Sequence, residues 1–135
     1  MLDVHQRSVK MIVPIKTAMI IDDDVDLSHV LATILENRKI PAMTVNSLTE
    51  AEEFLHYLKP TVIFLDNSFP DGLGINFIRH IKNTDSEIKI ILMTADTNEW
   101  IREKAKEEGA SYFIKKPFTT HMLDRALLAL NLKTA

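Results

Sequence analysis

From Thr17 onward the chain alternates short apolar runs with longer stretches in which apolar residues return every three or four positions. The runs Ala18-Met19-Ile20-Ile21, Ala42 to Val45, Val62-Ile63-Phe64-Leu65, Ile90-Ile91-Leu92-Met93 and Tyr112-Phe113-Ile114 have the length of strands. Several are apolar without interruption, as expected where a strand is buried on both faces. Between them, Val25 to Asn37 places Leu27, Val30, Leu31, Ile34 and Leu35 on one helical face. Pro41 then opens the second strand, and Ser47-Leu48-Thr49-Glu50 reads as a capping-box start. The helix it opens carries Ala51, Phe54, Leu55 and Leu58 inward and is broken at Pro60.

Phe69-Pro70-Asp71-Gly72-Leu73-Gly74 predicts a turn before a helix that buries Phe77, Ile78 and Ile81. Asn98 to Glu108 is a polar helix with a thin apolar face, Ile101 and Ala105, stopped by Gly109 as a C-terminal cap. A last helix after Pro117-Phe118-Thr119 carries Met122, Leu123, Ala126, Leu127 and Leu130. Five strand–helix units in this order predict an α/β fold on a parallel sheet. Residues 1 to 16 fall outside the pattern and are expected to form a partly ordered N-terminal extension to a domain spanning 17 to 131.

The residues that end the strands change the picture from architecture to chemistry. The first run stops at Asp22-Asp23-Asp24, the third at Asp66, the fourth at Thr94 and the fifth at Lys115-Lys116. On a parallel sheet these carboxyl ends share one edge, where open α/β folds bind their ligands. Asp66 is then a candidate nucleophile, since a carboxylate can attack phosphorus to give an acyl phosphate. By itself it reads more readily as a capping or turn residue. Asp22 and Asp23 supply charge for a hard cation such as Mg²⁺, and two adjacent acids repel unless a cation or a lysine lies between them. Asp24 and Asp26 read better as an acidic helix start.

Thr94 can donate a hydroxyl to a phosphoryl oxygen, and Lys116 can reach across the edge as a point charge. Lys115 should face the other way on a pleated strand. The spacing Asp22-x-Asp24-x-Asp26 imitates a calcium loop and fails, with Leu27 where glycine is needed and Thr33 where glutamate is needed. Gly72 and Gly74 open no phosphate loop, and His5, His29, His56, His80 and His121 have no metal-ligand spacing. The Lys116–Pro117 bond is a candidate cis peptide.

Composition narrows the function classes further. The 135 residues suit one domain with a real core, and 46% apolar with 26% charged residues is ordinary for a soluble fold. A net charge of −3 gives no basic footprint for nucleic acid, and without cysteine there is no disulfide or thiolate chemistry. No run approaches a membrane span or a signal-peptide core, so the cytoplasm is the expected location.

Taken together, the motifs resemble the receiver domain of two-component response regulators. The resemblance rests on Ile20-Ile21-Asp22-Asp23-Asp24, Leu65-Asp66-Asn67-Ser68-Phe69-Pro70-Asp71-Gly72, Met93-Thr94-Ala95 and Gly109-Ala110-Ser111-Tyr112-Phe113-Ile114-Lys115-Lys116-Pro117-Phe118. Each is weak alone, but four in the right order and spacing are strong. The resemblance implies a doubly wound, flavodoxin-like sheet of order 2-1-3-4-5 flanked by five helices. It also implies that Asp66 accepts phosphate from the phosphohistidine of a histidine kinase or phosphotransfer protein.

In that reading Asp23, Asp66 and the Ser68 backbone carbonyl bind Mg²⁺ directly, and Asp22 acts through a water. Thr94 and Lys116 hold the phosphoryl oxygens, Thr94 and Phe113 form the switch, and Ser68 and Asp96 tune hydrolysis of the acyl phosphate. Phe113 lacks the hydroxyl that a tyrosine would bring. The chain is then a phosphoacceptor that loses its own phosphate, not an enzyme turning over a foreign substrate. Its output surface would span the fourth helix, last strand and last helix, facing a partner or a second copy. Trp100, on the fourth helix, either packs sideways on the sheet edge or makes such a contact.

Two other readings compete. An aspartate-nucleophile phosphatase would need a second acid two residues after Asp66, where Ser68 stands, and no cap domain fits in the chain. A phosphorylation-independent docking module would be expected to lack a key acid, the threonine or the lysine, and none is missing. With no residues left for a DNA-binding helix-turn-helix, the chain is expected to be a single-domain regulator or a receiver from a longer one.

Overall fold

A computed structural model of the chain describes residues 16–96 and 98–133. Apart from Lys16, the N-terminal extension expected over 1–16 lies outside the described residues. In chain order the strands are β1 (Ala18–Ile21), β2 (Ala42–Val45), β3 (Val62–Asp66), β4 (Ser68–Phe69), β5 (Gly72–Leu73), β6 (Lys89–Thr94) and β7 (Tyr112–Lys115). The α-helices are α1 (Val25–Asn37), α2 (Leu48–Phe54), α3 (Ile78–Thr84), α4 (Glu99–Glu108) and α5 (Thr120–Ala129).

The five apolar runs form one sheet in the order β2-β1-β3-β6-β7, the expected 2-1-3-4-5 arrangement, and all four pairings are parallel. Side chains alternate across it with period two. Ala18, Ile20, Phe64 and Ile91 face Leu31 and Leu35 of α1 and Leu123 and Leu127 of α5. Met19, Ile21, Ile63, Leu65 and Leu92 face α2, α3 and α4 through Ala51, Ile78, Ile81, Ile101 and Ala105. Helices on both faces bury the middle strands completely, which is why β1 and β3 carry no polar residue before their last position.

Helix starts follow local capping chemistry. Asp24, Ser47, Asn98 and Thr119 accept hydrogen bonds from the backbone N–H groups of Leu27, Glu50, Trp100 and Met122. Asp24 is thus an N-cap, as its position suggested. Gly109 ends α4 with φ 116°, a left-handed conformation that favours glycine. At the far end of the sheet, Arg38 donates two hydrogen bonds to Asp124, at 2.5 and 2.9 Å, and Lys133 donates one at 2.7 Å. This network ties α1 to α5. Among the described residues, no helix is long and apolar enough to cross a membrane.

Two local expectations are corrected and a third is refined. Val30 does not join the inward face of α1 but is 54% exposed, because the buried line runs through Ser28, Leu31 and Leu35 and leaves Val30 about 100° away. Helix α2 stops at Phe54, so Leu58 falls just beyond the following turn and is 39% exposed. The turn at Phe69–Gly74 contains the small antiparallel hairpin β4–β5, followed by a 3₁₀ turn at Gly74–Asn76.

Candidate functional site

Strand register brings the site together. Ile21 lies beside Leu65, so Asp22 and Asp66 leave the sheet at the same level, and Asp66 itself pairs with Met93, one residue before Thr94. Thr94 pairs with Lys115, which puts Lys116 in the loop beyond β7. The Lys116 ammonium returns across the edge, 2.7 Å from Asp22 Oδ2 and 2.9 Å from Asp66 Oδ1. Carboxylate oxygens of Asp22, Asp23 and Asp66 lie within 4.8 Å of one another, a grouping able to hold a metal ion. Asp22, Asp66 and Thr94 are buried and Asp23 is exposed, so the cluster opens to solvent on one side.

Burial pushes the Asp66 carboxyl above its ordinary pKa; the Lys116 hydrogen bond opposes this and the Asp22 charge adds to it. Burial by itself would lower the Lys116 ammonium, but Asp22 and Asp66 outweigh it and hold its pKa above the usual lysine value. The site is therefore a buried acidic pair spanned by one cation. Backbone contacts fix it further: Asp24 N–H donates to Asp22 Oδ1 at 3.0 Å, and Lys116 N–H donates to the Thr94 carbonyl at 2.9 Å. The Lys116–Pro117 peptide is cis, as its sequence allowed.

The remaining predicted residues surround this cluster at varying distance from its chemistry. Thr94 Oγ1 accepts from Asp96 N–H at 3.1 Å, and the exposed Asp96 carboxylate accepts from Asn98 N–H at 2.9 Å. Ser68 begins β4, two residues beyond Asp66, with its side chain exposed. Phe113 is half-buried against the α2–α4 side of the core, with the Arg102 guanidinium 4.9 Å from its ring centroid. Trp100 is 60% exposed on α4, with Lys104 Nζ 5.8 Å from its ring, so it does not pack on the sheet edge. Lys115 is exposed, and His29, His56, His80 and His121 lie on the surface.

Three contributors escaped the sequence pattern. Asn46 Nδ2 donates to the Asp22 carbonyl at 3.2 Å. The buried Asn67 accepts from Ile75 N–H through Oδ1 at 2.9 Å. A Cβ at Gly74 would lie 2.0 Å from the Asp66 carbonyl oxygen, so only glycine fits there. Asparagine directly after a strand end was the one available signal, and it points equally to an ordinary turn.

Residues 18–128 match the response regulator receiver domain family. The chain is similar to the phosphate regulon transcriptional regulatory protein PhoB of Escherichia coli, 28% identical over 103 residues (75% of this chain, 45% of that one). It is 30% identical over 121 residues to PhoB of Pseudomonas aeruginosa (88% and 53%) and over 115 residues to the transcriptional regulatory protein CitB of Klebsiella pneumoniae (82% and 48%). The chain spans about half the length of these curated relatives.

Among solved structures it resembles a two-component response regulator from Clostridium difficile, with TM-score 0.82 and 25% identity over 86% of this chain and 95% of that one. It also resembles the beryllofluoride-activated NtrC4 receiver domain dimer, with TM-score 0.77 and 33% identity over 85% and 93%. Sheet order, acidic cluster and family match agree, and the chain belongs to the response regulator receiver domain family of two-component systems.

Proposed function

We propose that this domain is a phosphorylation switch in which Asp66 is the phosphoacceptor. The observation that carries the reading is Lys116 bridging Asp22 and Asp66 beside Asp23. A transferring phosphoryl group spreads its negative charge over three oxygens and needs positive charge and alignment more than covalent help. Asp66 Oδ attacks the phosphorus of a phosphohistidine on a histidine kinase or phosphotransfer protein. The new O–P bond forms as the N–P bond breaks, and the released imidazole takes up a proton. Lys116 and the Thr94 hydroxyl then hold the phosphoryl oxygens.

The donor set fits Mg²⁺: hard carboxylate oxygens in a cluster open to water. Asp23, Asp66 and the Ser68 backbone carbonyl would hold the ion directly, and Asp22 through a water. When bound, it neutralises charge shared between the carboxylates and the incoming phosphoryl oxygens. Hydrolysis by water returns the Asp66 carboxylate and inorganic phosphate, at a rate tuned by the exposed Ser68 and Asp96. Such a domain reacts with itself and is not a turnover enzyme.

The readout begins at Thr94. If Thr94 turns to a phosphoryl oxygen, it gives up the Asp96 N–H contact, and Phe113 changes packing beneath Arg102. This alters the surface formed by α4, β7 and α5, where an output partner or second copy docks. The proposed setting is the cytoplasm, with neither nucleic acid nor membrane bound by this domain.

The test is incubation with acetyl phosphate and Mg²⁺, followed by intact-mass measurement. The wild type is expected to gain one phosphoryl group and Asp66→Asn none. No adduct on the wild type, or an equal one on the variant, would overturn the reading. It would favour a phosphorylation-independent docking module, which otherwise has no reason to keep Asp66, Thr94 and Lys116 together.

A further inference from the structure

The segment after Asp66 is bound back to Asn67 in a way that the metal and phosphate chemistry of Asp66 does not explain. Asn67 is buried, and it satisfies two successive amides: its carbonyl accepts from Gly74 N–H and its side-chain Oδ1 from Ile75 N–H, each at 2.9 Å. Between these bonds Gly74 crosses the Asp66 carbonyl where no Cβ could fit. The loop so closed contains the β4–β5 hairpin, which a second contact pins from outside. There Asp71 Oδ2 accepts from Thr49 Oγ1 at 2.9 Å and from Thr49 N–H at 3.2 Å. Phe69 in β4 and Ile75 in the 3₁₀ turn after the hairpin are buried in the same core as Leu65.

We infer that Asn67 is a positioning residue for the phosphoacceptor. Its side chain fixes the path of the Asp66-Asn67-Ser68 backbone, and hence the aim of the Asp66 carboxylate and the Ser68 carbonyl. This rests on the phosphoacceptor reading above and adds a residue to it. A side chain chosen only to fill the buried space at position 67 would be apolar, and it would leave the buried Ile75 N–H without an acceptor. The amide oxygen reaches that N–H eight residues later, across the base of the hairpin. Its loss frees the hairpin to shift on the end of β3 without unfolding the sheet. Reactions that depend on in-line alignment are sensitive to such shifts.

The experiment compares the wild type, Asn67→Leu and Ile81→Val. The last is a core change in α3, six residues beyond Ile75 and outside the hydrogen bonds that close the loop, which controls for general loss of stability. Three quantities are read: urea midpoint, hydrogen exchange of the Ile75 amide without Mg²⁺, and rate of Asp66 phosphorylation by acetyl phosphate across a Mg²⁺ titration. Asn67→Leu is expected to deprotect Ile75, and to slow phosphorylation or raise the half-saturating Mg²⁺ concentration by about 10-fold. Ile81→Val should change neither.

If Asn67→Leu does not fold, Asn67→Ser is measured in its place, since its hydroxyl is too short to reach Ile75. A wild type that phosphorylates normally beside an Asn67 variant no slower than Ile81→Val would overturn this inference and leave the phosphoacceptor reading standing. A wild type that takes no phosphate would overturn both.

Discussion

Replacing Lys116 by methionine keeps most of the side chain's apolar stem and removes its charge, which isolates the ammonium's role between Asp22 and Asp66. Lys116 is 17% exposed and donates to two carboxylates that are more buried than it is. A hydrogen bond to a charged group contributes about 1.5–3 kcal/mol, so two would contribute roughly 3–6 kcal/mol. Asp66 offsets part of this loss by taking up a proton, leaving a net cost of about 3 kcal/mol near neutral pH, within the range for breaking a buried pair. With a urea slope of about 2 kcal/mol per M, the midpoint should fall by about 1.5 M.

The pH dependence has a definite sign. Asp66 already has a raised folded-state pKa, and losing Lys116 raises it further, so the folded variant binds a proton more tightly than the unfolded chain. Its stability is therefore recovered as pH falls through the folded value. Urea titrations followed by far-UV circular dichroism at about pH 8 and about pH 5 should show a smaller deficit at the lower pH. Added Mg²⁺ should narrow the deficit at the higher pH. A deficit of equal size at both pH values, or none, would refute the view that Lys116 acts by neutralising the two carboxylates.

Other consequences can be measured with the same equipment. Mg²⁺ should raise the urea midpoint of the wild type, by the amount set by its concentration over its dissociation constant, and should do so much less for Asp23→Asn. Asp124→Asn removes the acceptor shared by Arg38 and Lys133 and should cost about 1 kcal/mol at neutral pH, a surface-pair value. Because those cations hold the Asp124 carboxyl below the usual carboxylate range, its contribution is present above about pH 4 and is lost as pH falls toward the folded value. The gap between wild type and variant should therefore close in acid. Gly109→Ala places a Cβ at a left-handed position and 3.1 Å from Lys82 Cγ. It should cost about 1–2 kcal/mol in thermal unfolding without altering phosphorylation.

The parts of this molecule legible in its sequence are those decided by short-range rules. The apolar runs become strands because helices cover both faces of the sheet, and Asp24 and Ser47 cap helices through bonds to residues three positions on. What the sequence hid depends on distances set by packing. Val30 looked like a core residue because a helical face can be drawn through it, yet the contact line of α1 is narrower and passes through Leu31 and Leu35. Arg102 over Phe113 and Arg38 on Asp124 join residues far apart in the chain, with nothing local to announce them. Asn67 looked like turn chemistry, and only the return of the chain at Gly74 and Ile75 gives its side chain a partner.

The same distinction explains why the site needs different side chains at its different strand ends. Asp22 and Asp66 leave the sheet level with one another, so two short carboxylates come within 4.8 Å of each other. Crossing to β6 moves the polar position one residue further along, since Asp66 pairs with Met93 and Thr94 follows. Crossing to β7 moves it once more, because Thr94 pairs with Lys115 and the useful residue is Lys116. At about 3.3 Å per residue the cation starts some 6–7 Å beyond the carboxylates it must neutralise. A short basic side chain would fall short of that gap, whereas the four-carbon stem of lysine folds back to contact both acids. The one-residue offset between neighbouring strands thus selects the chemistry at each position, with carboxylates where the strands are level and a long ammonium where they are most staggered.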